Sequence, residues 1–299
     1  AGAVPLFTIE PGYPRALALL EAPPPLIYAV GDRDLLNRPA VAIVGSRQAS
    51  AAGMKLARLM TRGIAAAGYA IASGLARGID GVAHEASLDT GTIAVVAGGV
   101  DVVYPPEHAE LRRAIAERGV VVSEMPPGFQ PRAKDFPRRN RLIAGLSLGV
   151  LVVEAARRSG TLVTARLATE LGREVFAVPG HPLDPRAEGT NDLLKRGAIF
   201  TTSADDVVEA LRPISGLAPR AFAEPEPATP LQMPKQPPPL IGEDERSRVL
   251  GALGPAPCDI DALVRATGLL PRTVSVVLME LEIAGRIVRE SGQLISRIA

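Results

Sequence analysis

Strand-length apolar runs alternate with segments of helical length, most of those runs end in a glycine-bearing turn, and a proline-dense break follows at 213–239. Together these predict an α/β protein: a Rossmann-like, doubly wound, mostly parallel sheet, followed by a small winged-helix-like domain. The 299 residues are enough for one large domain and one small one. A chain that is 47% hydrophobic and 22% charged is not wholly disordered.

Residues 1–38 read as a lead-in packed on the main domain: a short helix over 15–20, three prolines at 23–25, and a strand over 26–30. From residue 39 the alternation begins. Strands are expected at 41–44, 69–72, 93–97, 120–122, 150–153 and 175–178, and helices at 51–67, 79–88, 107–117, 142–146 and 161–171. The strands are continuous apolar runs rather than alternating ones, as a sheet covered on both faces requires. This places a Rossmann-like domain at 39–212. Nine prolines between 213 and 239 cannot continue helix or sheet, so 213–242 is expected as an extended linker. Residues 243–299 then give three helices (243–253, 259–266 with Asp259 as N-cap, and 271–284) and a hairpin turning at Ser291-Gly292.

The 33 Lys and Arg against 32 Asp and Glu leave a net charge of +1, so any affinity for nucleic acid must come from local clustering. One cysteine, Cys258, can form neither an internal disulfide nor a cysteine zinc site, which favours a reducing compartment. No apolar run reaches the roughly 18 residues of a membrane span, and no signal pattern opens the chain, so membrane insertion is not expected and the cytoplasm is the expected location. No cofactor is expected, and three histidines without clustering make no metal site.

In an open parallel sheet, ligands bind beyond the carboxyl ends of the strands. The residues there are Gly45-Ser46-Arg47, the run Ser73 to Asp80, Gly98-Gly99 with Asp101 and Tyr104-Pro105, Glu154 with Ser159-Gly160-Thr161, and Pro179-Gly180. Glycine turns that open into helices present backbone N–H groups and the positive end of the helix dipole, which suits phosphate. The spacing fits neither the dinucleotide fingerprint nor a P-loop. His84 reads as a packing residue, His181 as a loop residue without an acid partner, and Cys258 as an inert filler. Asp80, Asp101 and Glu154 are suited to orienting turns or arginines and do not read as a catalytic pair.

The stretch 132–141 carries five cations and one anion, +4 in ten residues. Pro137 suits the first turn of a helix, Arg138 and Arg141 would share a face, and Leu142, Ile143 and Leu146 would point at the core. Phe136 is expected just outside that helix. An aromatic ring among cations suits single-stranded nucleic acid, the cations meeting phosphates and the ring a base. The alternative is a solvated helix start with Phe136 packed inward. Four to six phosphate contacts would give a slope of roughly −3 to −4 for log affinity against log salt. Residues 243–299 instead carry seven cations and eight anions, which favours a protein-facing role there over duplex reading.

Taken in order, Val44-Gly45-Ser46-Arg47, Ser73 through Asp80, Gly99 through Pro105, Ser123-Glu124, Phe136 through Ser147, Glu154-Ala155 with Ser159 through Ala165, and Val175 through Gly180 resemble the DNA-processing protein A (DprA/Smf) family over most of 26–212. The resemblance implies single-stranded DNA binding, homodimerisation, and loading of the RecA recombinase onto incoming strands during natural transformation. The binding set it implies is Gly45, Ser46, Arg47, Gly74, Lys134, Phe136, Arg138, Arg139, Asn140, Arg141, Gly160 and Thr161, with the glycines and Ser46 serving phosphate through backbone or hydroxyl. Members often carry a small helical N-terminal domain, for which there is little room before residue 26. The rival is a nucleotide-binding enzyme similar to the nucleoside-phosphate phosphoribohydrolases. Thr164 stands where that family places its acid, so no catalytic residue is expected.

Overall fold

The structure is a computed structural model that describes residues 2–216, 242–253, 258–289 and 294–297. The chain divides into two compact units, Ala1–Phe222 and Ala223–Ala299.

The first unit is a nine-stranded sheet with helices on both faces. It opens with β1 (Val4–Phe7), α1 (Arg15–Ala18) and β2 (Leu26–Gly31). The alternating part follows: β3 (Ala40–Val44), α2 (Ala51–Ala66), β4 (Ala70–Ser73), α3 (Ile79–Ser87), β5 (Thr92–Val95), α4 (Ala109–Arg118) and β6 (Val120–Ser123). It closes with α5 (Asp135–Gly145), β7 (Gly149–Val152), α6 (Thr161–Glu170), β8 (Glu174–Ala177), α7 (Glu188–Lys195), β9 (Ile199–Phe200) and α8 (Ala204–Ser215).

Strand order is β1-β2-β6-β5-β4-β3-β7-β8-β9. From β6 to β9 every pairing is parallel, and β1 and β2 add an antiparallel edge. The expected lead-in therefore contributes two strands to the sheet: Tyr28 pairs with Ser123 and Gly31 with Val120. Alternation along β3 sorts its side chains between the faces. Val41 and Ile43 pack with Ala57, Met60 and Ile64 of α2 and with Val207 and Leu211 of α8. Ala42 and Val44 pack with Leu142 and Ile143 of α5 and with Ala165 and Ala168 of α6. Both faces are dry, and this accounts for the unbroken apolar runs.

β3 lies between β4 and β7, and the chain builds outward from it in both directions. The carboxyl ends of β3 and β7 thus flank the topological switch point, where open sheets of this class leave a crevice.

β1, α7, β9 and α8 are additional to the expected elements, and two boundaries differ from expectation. α5 begins at Asp135, whose carboxylate accepts from the Arg132 N–H at 2.7 Å, so Phe136 lies inside the first turn. α8 carries Pro213 within it and ends on Gly216 in a left-handed conformation, so the helix continues past the first proline of the expected linker. The rest of that linker, 217–241, lies outside the described residues, as does the Ser291-Gly292 turn.

The second unit contains α9 (Glu243–Ala252), α10 (Ile260–Thr267), α11 (Pro271–Ile283), and the antiparallel pair β10 (Ile287–Arg289) and β11 (Ile295–Arg297). Asp259 caps α10 by accepting from the Ala262 N–H at 2.6 Å. Val249, Leu263, Val274, Val277, Leu278 and Ile295 form its core. Half-buried Cys258 packs on that core, and its backbone bridges Ile295. Among the described residues no single helix is long and apolar enough to cross a membrane.

Candidate nucleic-acid interface

At the carboxyl ends of β3, β4, β5 and β7 the turns surround a cavity of about 940 Å³. Gly45, Ser46, Arg47, Gly74, Phe136, Arg139, Asn140, Gly160 and Thr161 all line it. Lys134, Arg138 and Arg141 do not. A larger hollow of about 1110 Å³ lies between α6 and α7 near the amino ends of β8 and β9. Its rim charges include the pairs Arg166–Glu170 and Arg196–Asp192, and it lacks the glycine turns, so the chemistry points to the smaller cavity.

Close approach explains the glycines. A Cβ on Gly45 would sit 2.5 Å from the Ile79 side chain, and one on Gly74 would meet the Arg139 guanidinium at 2.7 Å and the Asp80 carboxylate at 2.8 Å. Gly160 has nothing within 4 Å of that position, so its bare backbone faces open space. The Thr161 hydroxyl donates to the Gly45 carbonyl at 2.9 Å and links the turns after β3 and β7. Glu154 accepts from the Ser50 N–H and hydroxyl at 3.0 and 2.5 Å and thereby braces the start of α2. Asp101 does the same for the Gly128 N–H at 2.7 Å.

Phe136 is the centre of an aromatic and cationic stack. The Arg47 guanidinium lies 5.6 Å from its ring centroid, and Tyr104, 48% exposed, tilts against it at 5.3 Å. Helix α5 divides the basic stretch between its faces. Phe136, Asn140 and Ile143 face the cavity. Arg138 and Arg141 share the other face, as their spacing predicts, and converge on one oxygen of Glu124 at 3.2 and 2.6 Å. Arg141 also donates to the Ala22 carbonyl.

Arg139 is buried, 7% exposed. It donates to the Gly74 carbonyl at 2.6 Å, to the Val95 carbonyl, and through Nε to Asn140 Oδ1 at 3.2 Å. Burial pulls its pKa down to about 10, so it stays charged at neutral pH. Asp80, 6% exposed, accepts from the N–H groups of Gly74 and Ala76 at 3.1 and 3.3 Å. Burial pushes its carboxyl up, against the pull of Arg139 and those two N–H groups. His84 is fully buried, bonded to the Thr92 hydroxyl at 2.7 Å, and held neutral with its pKa lowered to about 3 by burial. His181 lies outside the cavity lining and accepts from the Leu183 N–H.

Arg77 and Tyr104, from the strand-end turns expected at this edge, line the cavity, and Arg158 joins them as a cation outside the expected set. Arg158 lies in the turn between β7 and α6, and a cation in a strand-end turn is the signal that would have found it. Arg77 pairs at the surface with Glu107 at 2.5 Å.

The fold and site define a class: a Rossmann-like α/β protein with a glycine-lined, cationic and aromatic cavity at its switch point, joined to a separate winged-helix domain. Residues 5–212 match the family model of DNA recombination-mediator protein A, and residues 233–293 that of the DprA winged helix domain. The chain belongs to the DNA recombination-mediator protein A (DprA/Smf) family. It is 40% identical to protein Smf of Escherichia coli over 283 residues, covering 94% of this chain and 74% of that protein. It is 44% identical to the DNA processing protein DprA of Bacillus subtilis over 202 residues, covering 67% and 68%. Among solved structures, DprA of Streptococcus pneumoniae aligns with TM-score 0.67 at 42% identity, covering 70% of this chain and 74% of that one. DprA of Helicobacter pylori, solved for its single-stranded DNA binding mode, aligns with TM-score 0.65 at 32% identity, covering 71% and 96%.

Proposed function

We propose that this chain binds unpaired DNA in the cavity at the sheet's switch point, protects the incoming strand, and loads a RecA recombinase onto it during natural transformation or recombination, acting as a homodimer. The observation that carries the reading is the stack of Arg47, Phe136 and Tyr104 at a cavity walled by glycine turns. Such a site offers a π-face to any base and N–H groups and cations to its phosphates, which is sequence-tolerant recognition of a single strand. Family membership and the strand-binding H. pylori relative support it.

The site binds and does not catalyse. Among the described residues that line the cavity the one carboxylate is Asp80, already engaged by two backbone N–H groups. Thr164, buried at the position where the phosphoribohydrolases carry their acid, cannot activate water as a carboxylate would. The winged helix serves a protein partner: α11 exposes Met279 and Ile283, and the segment has one more anion than cations.

A gel shift of wild type and Arg47→Ala with single- and double-stranded oligonucleotides of matched length tests the reading. Preferential retardation of the single strand, weakened in the variant, is expected. Equal affinity for both forms, or release of free base from nucleoside monophosphates, would overturn it.

A further inference from the structure

Arg139 sits in the most basic stretch of the chain, yet its surroundings are unlike those of a ligand contact. It lines the cavity, but its Nη1 is engaged by backbone: the Gly74 carbonyl in the turn after β4 and the Val95 carbonyl at the end of β5. Its Nε holds Asn140 Oδ1, and Asn140 Nδ2 in turn donates to the Gly160 carbonyl at 3.4 Å in the turn after β7. One buried fork thus reaches three of the loops that wall the cavity, two directly and one through Asn140.

The Gly74 turn needs such a hold. Leu75 has φ of +56°, a left-handed conformation that a leucine adopts only when its surroundings impose it. The imposing groups flank it. Asp80 takes the N–H groups of Gly74 and Ala76, and Arg139 takes the Gly74 carbonyl. The Asp80 carboxyl and the Arg139 guanidinium both lie within 2.9 Å of where a Gly74 Cβ would be, so two buried side chains hold the N–H and the C=O of the same residue.

On the strand-binding reading above, we propose that Arg139 is a positioning residue: it never touches the nucleic acid and instead preorganises the Gly74 and Gly160 turns that do. A guanidinium is required for its geometry, because one terminal nitrogen, Nη1, gives both backbone carbonyls their hydrogen bonds while Nε, a second nitrogen of the same plane, serves Asn140. A lysine ammonium lacks that planar fork.

Affinity for a dT oligonucleotide, measured on the full chain across a salt series, separates positioning from contact. Arg139→Gln and Arg139→Lys should both weaken binding by roughly 10- to 100-fold, the scale of losing a supporting partner behind a binding group, with the salt slope of wild type retained. A slope shallower by about 0.7 in the glutamine variant, restored by lysine, would mark a phosphate contact and overturn the assignment. Unchanged affinity in both variants would also overturn it. Should the variants not fold, wild type decides: the Arg139 Nε–Hε signal in NMR is expected to be slowly exchanging and unmoved by the oligonucleotide. A shift as large as that of Arg47 would overturn the proposal. If wild type bound no single strand at any salt, the strand-binding reading itself would fall, and the inference with it.

Discussion

The guanidinium of Arg47 lies 5.6 Å from the centroid of the Phe136 ring, so the turn after β3 and the first turn of α5 form one surface. A cation over a ring face is attracted by the ring quadrupole, and it also occupies one face of a ring that would otherwise be open to a base. Tyr104 tilts on the same ring. On the proposed reading, a base would meet a composite platform in place of a lone phenylalanine.

That platform makes Phe136→Ala costly. Single-strand affinity should fall by about 1–3 kcal/mol, the worth of one base stack, while Phe136→Trp should retain most of it. Fluorescence anisotropy with a labelled dT oligonucleotide reads both. An affinity unchanged in the alanine variant would remove the ring from the interface.

The salt response counts phosphate contacts. Of the cations lining the cavity, Arg47, Arg77 and Arg158 are exposed, so log affinity should fall with log salt at a slope of about −2. That is shallower than the whole basic stretch would give. Arg47→Ala should remove about 0.7 of it. Arg138→Ala, on the face turned to Glu124, should change affinity by no more than about 0.5 kcal/mol. A wild-type slope near −4 would bring Arg138 and Arg141 back into contact.

Two glycines at the cavity wall should respond oppositely to alanine. Gly45→Ala drives a methyl into Ile79 and should destabilise the fold by roughly 1–3 kcal/mol. Gly160→Ala meets open space, so thermal stability should hold. On the proposed reading its strand affinity should nevertheless fall, because the new methyl would stand where backbone would meet phosphate. A denaturant melt alongside a binding titration checks each variant.

Acid should loosen the main domain through His84. The unfolded chain takes up a proton near pH 6.5 and the folded one near 3, so the unfolded state binds more protons across that interval. The stability that neutral His84 contributes is complete above pH 6.5 and is lost progressively as pH falls toward 3, on the order of a few kcal/mol in all. Urea unfolding at pH 7 and pH 5 should show the decline, and His84→Gln should flatten it. An equally steep decline in the variant would assign the effect to other groups.

Most of the strands and helices, though not β1, α7, β9 or α8, together with the winged-helix elements and the Asp259 cap, are written locally. An apolar run, a 3.6-residue period or a capping side chain is decided by neighbours in sequence, so these could be read without coordinates. The glycine turns could be read as well, since each follows its own strand. Which turns meet could not. That follows from β3 pairing with both β4 and β7, a long-range choice with no local signature, and it alone brings Gly45 beside Thr161. The same holds for β2, whose partner β6 lies far along the chain. Tertiary structure also divided one basic run into three chemistries. Composition counts charges, whereas the rotation of α5 against the sheet turns Asn140 and Phe136 to the cavity, sends Arg138 and Arg141 to Glu124, and buries Arg139 among carbonyls.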